Sequence, residues 1–236
     1  MATDQILRRS DAERKLYTWA AVTTALIVIV GFARTYYLKG VFGFPPLTGL
    51  VHLHGVIMTL WIALFIVQVR LVAARRTRWH RRLGVAGGLL AAAVLTVGTI
   101  VAIEAARLGR LPGSPLQFLV IPLGDLSLFA IYVGAGLLLR NRSAVHKRLM
   151  LLSCAAFLPA AVSRIPLAFI ENGSAFVYFG LSDLCLLAWI AFDTIKHRRL
   201  HPAFGWGILL IIASQPFRLL LAETSIWMRF ATWLVG

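Results

Sequence analysis

From Leu47 to Val69 the chain runs 23 residues without a formal charge, taking histidine as neutral, and then enters the basic run RLVAARRTRWHRR. At about 1.5 Å of rise per residue, such a segment crosses roughly 30 Å of hydrocarbon as a helix. It is not a plain lipid-facing helix. His54, Met58, Trp61, Phe65 and Gln68 recur at helical spacing and share one face. An imidazole or an amide is costly in hydrocarbon, so this stripe should face other helices.

The same pattern repeats along the chain. Spans are expected at about 17–38, 47–69, 83–106, 116–139, 147–170, 174–193 and 202–222. Only 14% of the residues are charged, against about 25% in soluble domains, and 59% are hydrophobic. The expected fold is all-α: a polytopic, seven-transmembrane-helix bundle built from helical hairpins, occupying 17–222. Residues 1–16 read as a polar cytoplasmic lead-in and 223–236, with two Trp and one Arg, as an interfacial segment. The basic N-terminus followed by an apolar run resembles a signal peptide, but no small-residue cleavage site follows, so it reads as a retained first helix.

The formal net charge of +15 would suggest a nucleic-acid partner if it were spread over one surface. It is not. Arg8, Arg9, Arg14 and Lys15 precede span 1, and Arg70, Arg75, Arg76, Arg78, Arg81 and Arg82 follow span 2. Arg140, Arg142, Lys147 and Arg148 follow span 4, and Lys196, Arg198 and Arg199 follow span 6. The opposite loops hold only Arg34, Lys39, Arg107 and Arg110. By the positive-inside rule the N-terminus is cytoplasmic, in the inner membrane of a bacterium, and the charge grips anionic lipid rather than nucleic acid. Cys154 and Cys185 fall inside apolar segments and read as small core residues.

His80-Arg-Arg-Leu-Gly, His146-Lys-Arg-Leu-Met and His201-Pro-Ala-Phe-Gly open spans 3, 5 and 7, so three histidines recur at matched depth. Such a histidine can be a ligand, or it can simply cap free amides or meet lipid phosphate. With Gln68, Asp193 and His197 they form a cytoplasmic polar layer, and His80, His146 and His201 with Asp193 are the candidate metal or haem ligands. His197 lies four residues before His201, but Pro202 favours a helix start at His201, which makes His201 the better candidate. A second layer lies toward the outer face: His54, Glu104, Asp125, Arg164, Asp183 and Arg218, about 5–12 Å deep by helix rise. Charges there need partners, so Arg164 and Arg218 should bridge Asp125 and Asp183, with Arg164 facing the bundle close to His54. His52 lies on the other side of the helix from His54 and cannot join the same site.

No HExxH, phosphate-binding glycine loop, CxxC or serine elbow occurs, so those chemistries gain no support. No lysine sits in the middle of span 7, which argues against a retinal Schiff base. Pro122, Pro159, Pro166 and Pro216 permit kinks in spans 4, 5 and 7.

The blocks HGVIMTLW…Q, HRRLG and HKRLMLLS…R resemble those of a family of uncharacterised bacterial polytopic membrane proteins, similar in outline to cytochrome b561-type proteins. The resemblance implies a haem held by paired histidines near the cytoplasmic edge, with His80 and His146 as the axial pair and His201 as the substitute. It departs from the b561 pattern on the outer side, where only His52 and His54 are available and both lie on one helix. A second haem therefore finds no support.

Three functions follow as expectations. The first is a redox protein holding a b-type haem or a metal, and exchanging electrons with quinone. Trp61, Phe65 and Met58 would then line its pocket, with Gln68 as hydrogen-bonding partner. The second is a membrane enzyme acting on a lipid or isoprenoid, as a metal-dependent hydrolase or a cyclase. It would use either a histidine-bound non-haem metal that activates water, or a carboxylic acid, Asp125 or Asp183, as proton donor. The third is a transporter, proton path or assembly subunit without catalysis.

Overall fold

The computed structural model describes residues 2–236, with side chains from Arg14 onward, and the described residues form helices and no strands. Arg8 and Arg9 of the lead-in therefore lie outside the described side chains. Helix α1 (Ala2–Phe32) passes into a π-helical turn at Ala33–Tyr37. Then come α2 (Gly49–Ala73), α3 (Thr77–Arg107), α4 (Pro115–Phe118), α5 (Val120–Leu138), α6 (Ser143–Ala155) and α7 (Leu158–Val162). The chain finishes with α8 (Ala168–Glu171), α9 (Ala175–His197), α10 (Pro202–Ala222) and α11 (Ser225–Val235). Seven of these helical stretches are long and apolar enough to cross a membrane, and the chain is an all-α polytopic bundle.

The hairpins are tight. α2 and α3 turn on Arg75 and α9 ends on Arg198, both at positive φ (59° and 54°), the left-handed conformation that closes many helix C-termini. α2 packs along α3 and α5 along α6, while α10 rests on α5 and α6. The fifth span, α6 and α7 together, is the most buried of the seven and forms the centre of the bundle. Phe129, Leu151, Leu152 and Phe204 are fully enclosed around it. Outward-facing residues such as Leu26, Leu89, Leu138, Ile195 and Leu220 are exposed and apolar, as a lipid-facing surface requires. On α2, the predicted stripe does turn inward: Trp61 and Phe65 are buried and His54, Met58 and Gln68 half-buried.

Between lipid-immersed helices, contact depends on close packing rather than on expulsion of water, so small residues mark the tightest approaches. At Gly31 a Cβ would sit 2.1 Å from the Ala161 carbonyl oxygen. Here α1 lies backbone to backbone against α7, and only glycine fits.

Several helix ends differ from the sequence reading. The third span begins at Thr77 rather than 83, so His80 lies in the first turn of a helix instead of ahead of it. The fifth span runs Ser143–Val162 rather than 147–170. Pro166 cannot donate a backbone hydrogen bond and disfavours helical backbone at the residue before it, so the helix stops short. Arg164 is left beyond its end.

Candidate functional site

Two histidines meet at the arginine-rich end. His80 is on the first turn of α3 and His146 on the first turn of α6, and their ring centroids are 6.2 Å apart with the planes at 79°. His146 Nδ1 lies 2.7 Å from the Gly136 carbonyl oxygen. That carbonyl belongs to the last turn of α5, where carbonyls have no helical partner. A carbonyl only accepts, so Nδ1 carries the proton and Nε2 is left with its lone pair. His80 Nδ1 lies 2.6 Å from the side-chain amide of Gln68 on α2. In the orientation that also satisfies Gly84 N–H (3.1 Å), the Gln68 N–H donates to His80 Nδ1, which places the His80 proton on Nε2. Turning the amide over reverses that tautomer.

Below His80 on the same face of α3 stand Gly84 and Gly88, at successive turns. A Cβ at Gly84 would meet only the Gln68 amide, at 3.8 Å, and one at Gly88 would meet nothing within 4 Å. The helix face under the ligand pair is therefore bare. Arg81, Arg82, Arg140 and Arg142 are exposed at the same end.

The third histidine does not join them. His201 is the N-cap of α10, and its Nδ1 accepts from Ala203 N–H at 3.1 Å. Burial and the neighbouring Arg148 hold its imidazole below the ordinary value, which keeps that acceptor unprotonated. Asp193 is also committed. Its two oxygens take bonds of 2.8–3.0 Å from Nε and Nη2 of Arg148, with both side chains buried. Arg148 additionally donates to the Ala144 carbonyl and lies over the Phe204 ring. Among the described residues no three His, Cys, Asp or Glu side chains gather as a metal-binding group. The expected centre of His80, His146, His201 and Asp193 is thus replaced by a pair, a cap and an ion pair. His197 bonds back to the Asp193 carbonyl of its own helix.

At the opposite end the acidic groups separate. Asp125, buried on α5, pairs with Arg218 of α10 at 2.6 Å, as expected. Arg218 passes so close to Gly124 that a Cβ there would lie 2.2 Å from its Cδ, and its charge sits over the Phe179 ring. Asp183, half-buried on α9, takes its bond from Gln215 Nε2 at 2.9 Å. Arg164 pairs with neither. It is exposed, donates to the Ala160 carbonyl (2.5 Å) and to Ser163 Oγ, and stacks on Phe32. The expectation that it faces the bundle and bridges a carboxylate is overturned by the early end of α7. On α2 the buried Nδ1 of His54 has no hydrogen-bond partner. His52, as expected, is apart from His54, exposed and 3.3 Å from the Tyr36 hydroxyl. Trp61 belongs to the core, edge-on to Phe129 at 4.8 Å, with only the Cys154 thiol, a weak acceptor, beside its N–H.

Two partners escaped the sequence reading. Arg148 was counted with the loop charges, since it follows His146 and Lys147 directly and stands at the edge of the apolar run that begins at Leu149. Gln215 had no signal beyond its position beside Pro216. No family model, curated protein or solved structure matches the chain.

Proposed function

We propose that this is a multi-pass protein of a bacterial cytoplasmic membrane, N-terminus inside, that holds one b-type haem between His80 and His146 and exchanges electrons with quinone. The observation that carries the reading is the spacing of the two rings together with the bare Nε2 of His146. With metal–nitrogen bonds of about 2.0 Å, a separation of this order is what two imidazoles holding one metal would need. A ligating histidine usually donates its other N–H to a carbonyl, the arrangement His146 has with Gly136. The donor set fits, and on the α3 face below His80 the residues at Gly84 and Gly88 present no side chain.

In this reading a haem supplies one-electron chemistry, and the chain's own residues position it. His146 is held by Gly136. His80 would hold it in the tautomer that carries its proton on Nδ1, donated to the turned amide of Gln68. The exposed arginines Arg81, Arg82, Arg140 and Arg142 offer cations to the carboxylates of such a cofactor and to anionic lipid headgroups.

The visible absorption spectrum of detergent-purified protein, with iron analysis, tests this. About one haem per chain is expected, lost in His80→Ala and in His146→Ala and kept in His201→Ala. Protein expressed with ample haem that carries no iron removes the reading and leaves the ring contact as edge-to-face packing.

A further inference from the structure

At the arginine-poor end two carboxylates share one cation. Arg218 spends Nη1 on Asp125 and on the Ile121 carbonyl, Nη2 on Ser214 Oγ, and Nε on the Ser214 carbonyl. None of its donors is directed to Asp183. Arg164, on the same side of the membrane, is bonded to its own turn and stacked on Phe32, while Arg34 pairs with Glu171 and Arg107 lies near Glu104. Among the described residues Asp183 has no ion-pair partner, and its one side-chain bond comes from a neutral amide.

Asp183 is the ninth residue of α9, about 12 Å along the helix from its first residue, within a span whose neighbouring Leu184 and Leu187 are exposed and apolar. The groups that face it are few. α10 brings Gln215 and Arg218, α5 brings Asp125, and α9 itself carries Tyr178 and Cys185. α1 and α7 also pack against α9. The described charges of α1, Arg14, Lys15 and Arg34, lie toward the ends of its span, and α7 has none. An ionised Asp183 would sit within the span with no cation bonded to it, since Arg218 is spent on Asp125 and Arg164 on its own turn. A carboxylic acid at that depth takes up a proton instead. The Gln215 bond survives the change, because its N–H can still donate to the carbonyl oxygen of the acid.

We propose that Asp183 is a proton-binding site within the membrane: a neutral carboxylic acid, open to the lipid side, beside an Asp125–Arg218 pair that stays charged. Asp125 and Asp183 thereby take opposite forms in one layer. The pair fixes the helices, and the acid is the group free to give up or accept a proton. This does not depend on the haem reading.

The test is labelling of the full-length protein in membrane vesicles at neutral pH with dicyclohexylcarbodiimide, mapped by peptide mass spectrometry. The acid proton goes to a carbodiimide nitrogen, the carboxyl oxygen bonds the central carbon, and the O-acylisourea rearranges to an N-acylurea with every atom kept. An ionised, paired carboxylate lacks the proton that starts the reaction. Labelling of Asp183 should exceed that of Asp125 at least about tenfold, the difference between an acid that is mostly protonated and one that is mostly ionised, and should vanish in Asp183→Asn. No adduct on Asp183, an adduct only after acidification, or equal labelling of Asp125 would overturn the proposal. Asp183→Asn exchanges one neutral group for another, so its thermal midpoint should stay within about 2 °C of the parent. A fall several times larger would show that a charged carboxylate had been removed, and would equally overturn it.

Discussion

At the arginine-rich end Arg148 grips Asp193 with both arms of its guanidinium, whereas at the other end Arg218 reaches Asp125 through one nitrogen and leaves Asp183 to an amide. The first arrangement uses every strong acceptor that Asp193 offers. Such a bidentate pair, closed over by Phe204, joins α6 to α9 and has nothing left with which to do chemistry. The second arrangement is incomplete by one charge. A charge in a membrane core is therefore no guide to function by itself. What matters is whether its partners satisfy it, and the same reasoning separates His201, spent on a helix cap, from the His80–His146 pair.

The contrast breaks most visibly at Arg148. Arg148→Ala strands a fully buried carboxylate and should cost about 3–5 kcal/mol, measured as loss of folded protein in detergent. Arg148→Met combined with Asp193→Leu should recover most of that loss, and no recovery would mean that the pair does more than clamp two helices. Gly124→Val probes the looser end, because the added carbons meet the Arg218 stem. Overpacking of this kind costs about 1–3 kcal/mol, read from the thermal midpoint, and an unchanged midpoint would show that Arg218 has another way to lie.

Arg164→Ala should cost about 1 kcal/mol or less, the scale of an exposed cation over a ring. A loss as large as that of Arg148→Ala would return Arg164 to the interior. The smallest effect belongs to His201. Its folded-state value lies below the unfolded one, so the neutral cap contributes fully above the ordinary histidine value of about 6.5 and is lost as pH falls through it toward the folded value. Thermal midpoints of the parent should therefore fall on acidification more than those of His201→Asn, which caps at any pH. Parallel curves would show that the imidazole is not the cap.

The seven spans were legible because hydropathy and length constrain a membrane helix strongly, and the inward face of α2 was legible from its period. The ends of the spans were not. Whether a helix stops at Val162 or continues past Arg164 turns on Pro166 and on how α7 meets α1, and depth counted from an assumed end carries the error to every residue nearby. That error misplaced Arg164 and hid Arg148. The pairing of Asp125 with Arg218 was anticipated because both lie well inside their spans, where a shift of a few residues changes little. The meeting of His80 with His146 depends on how two hairpins pack together, and repeated spacing alone leaves three histidines equal.

The bare backbone contact at Gly31 bears on the order in which the molecule is made. Helix α1 precedes the surface it fits, around Ala161, which is translated about 130 residues later. At roughly 5–20 residues per second, the first helix waits in the bilayer for several seconds with its groove unfilled, longer than helix pairs need to form. During that interval α2 and α3 can close on each other, but α1 is held only along one side. The contact at Gly31 can therefore form only after Ala161 has been made, as a late step of assembly.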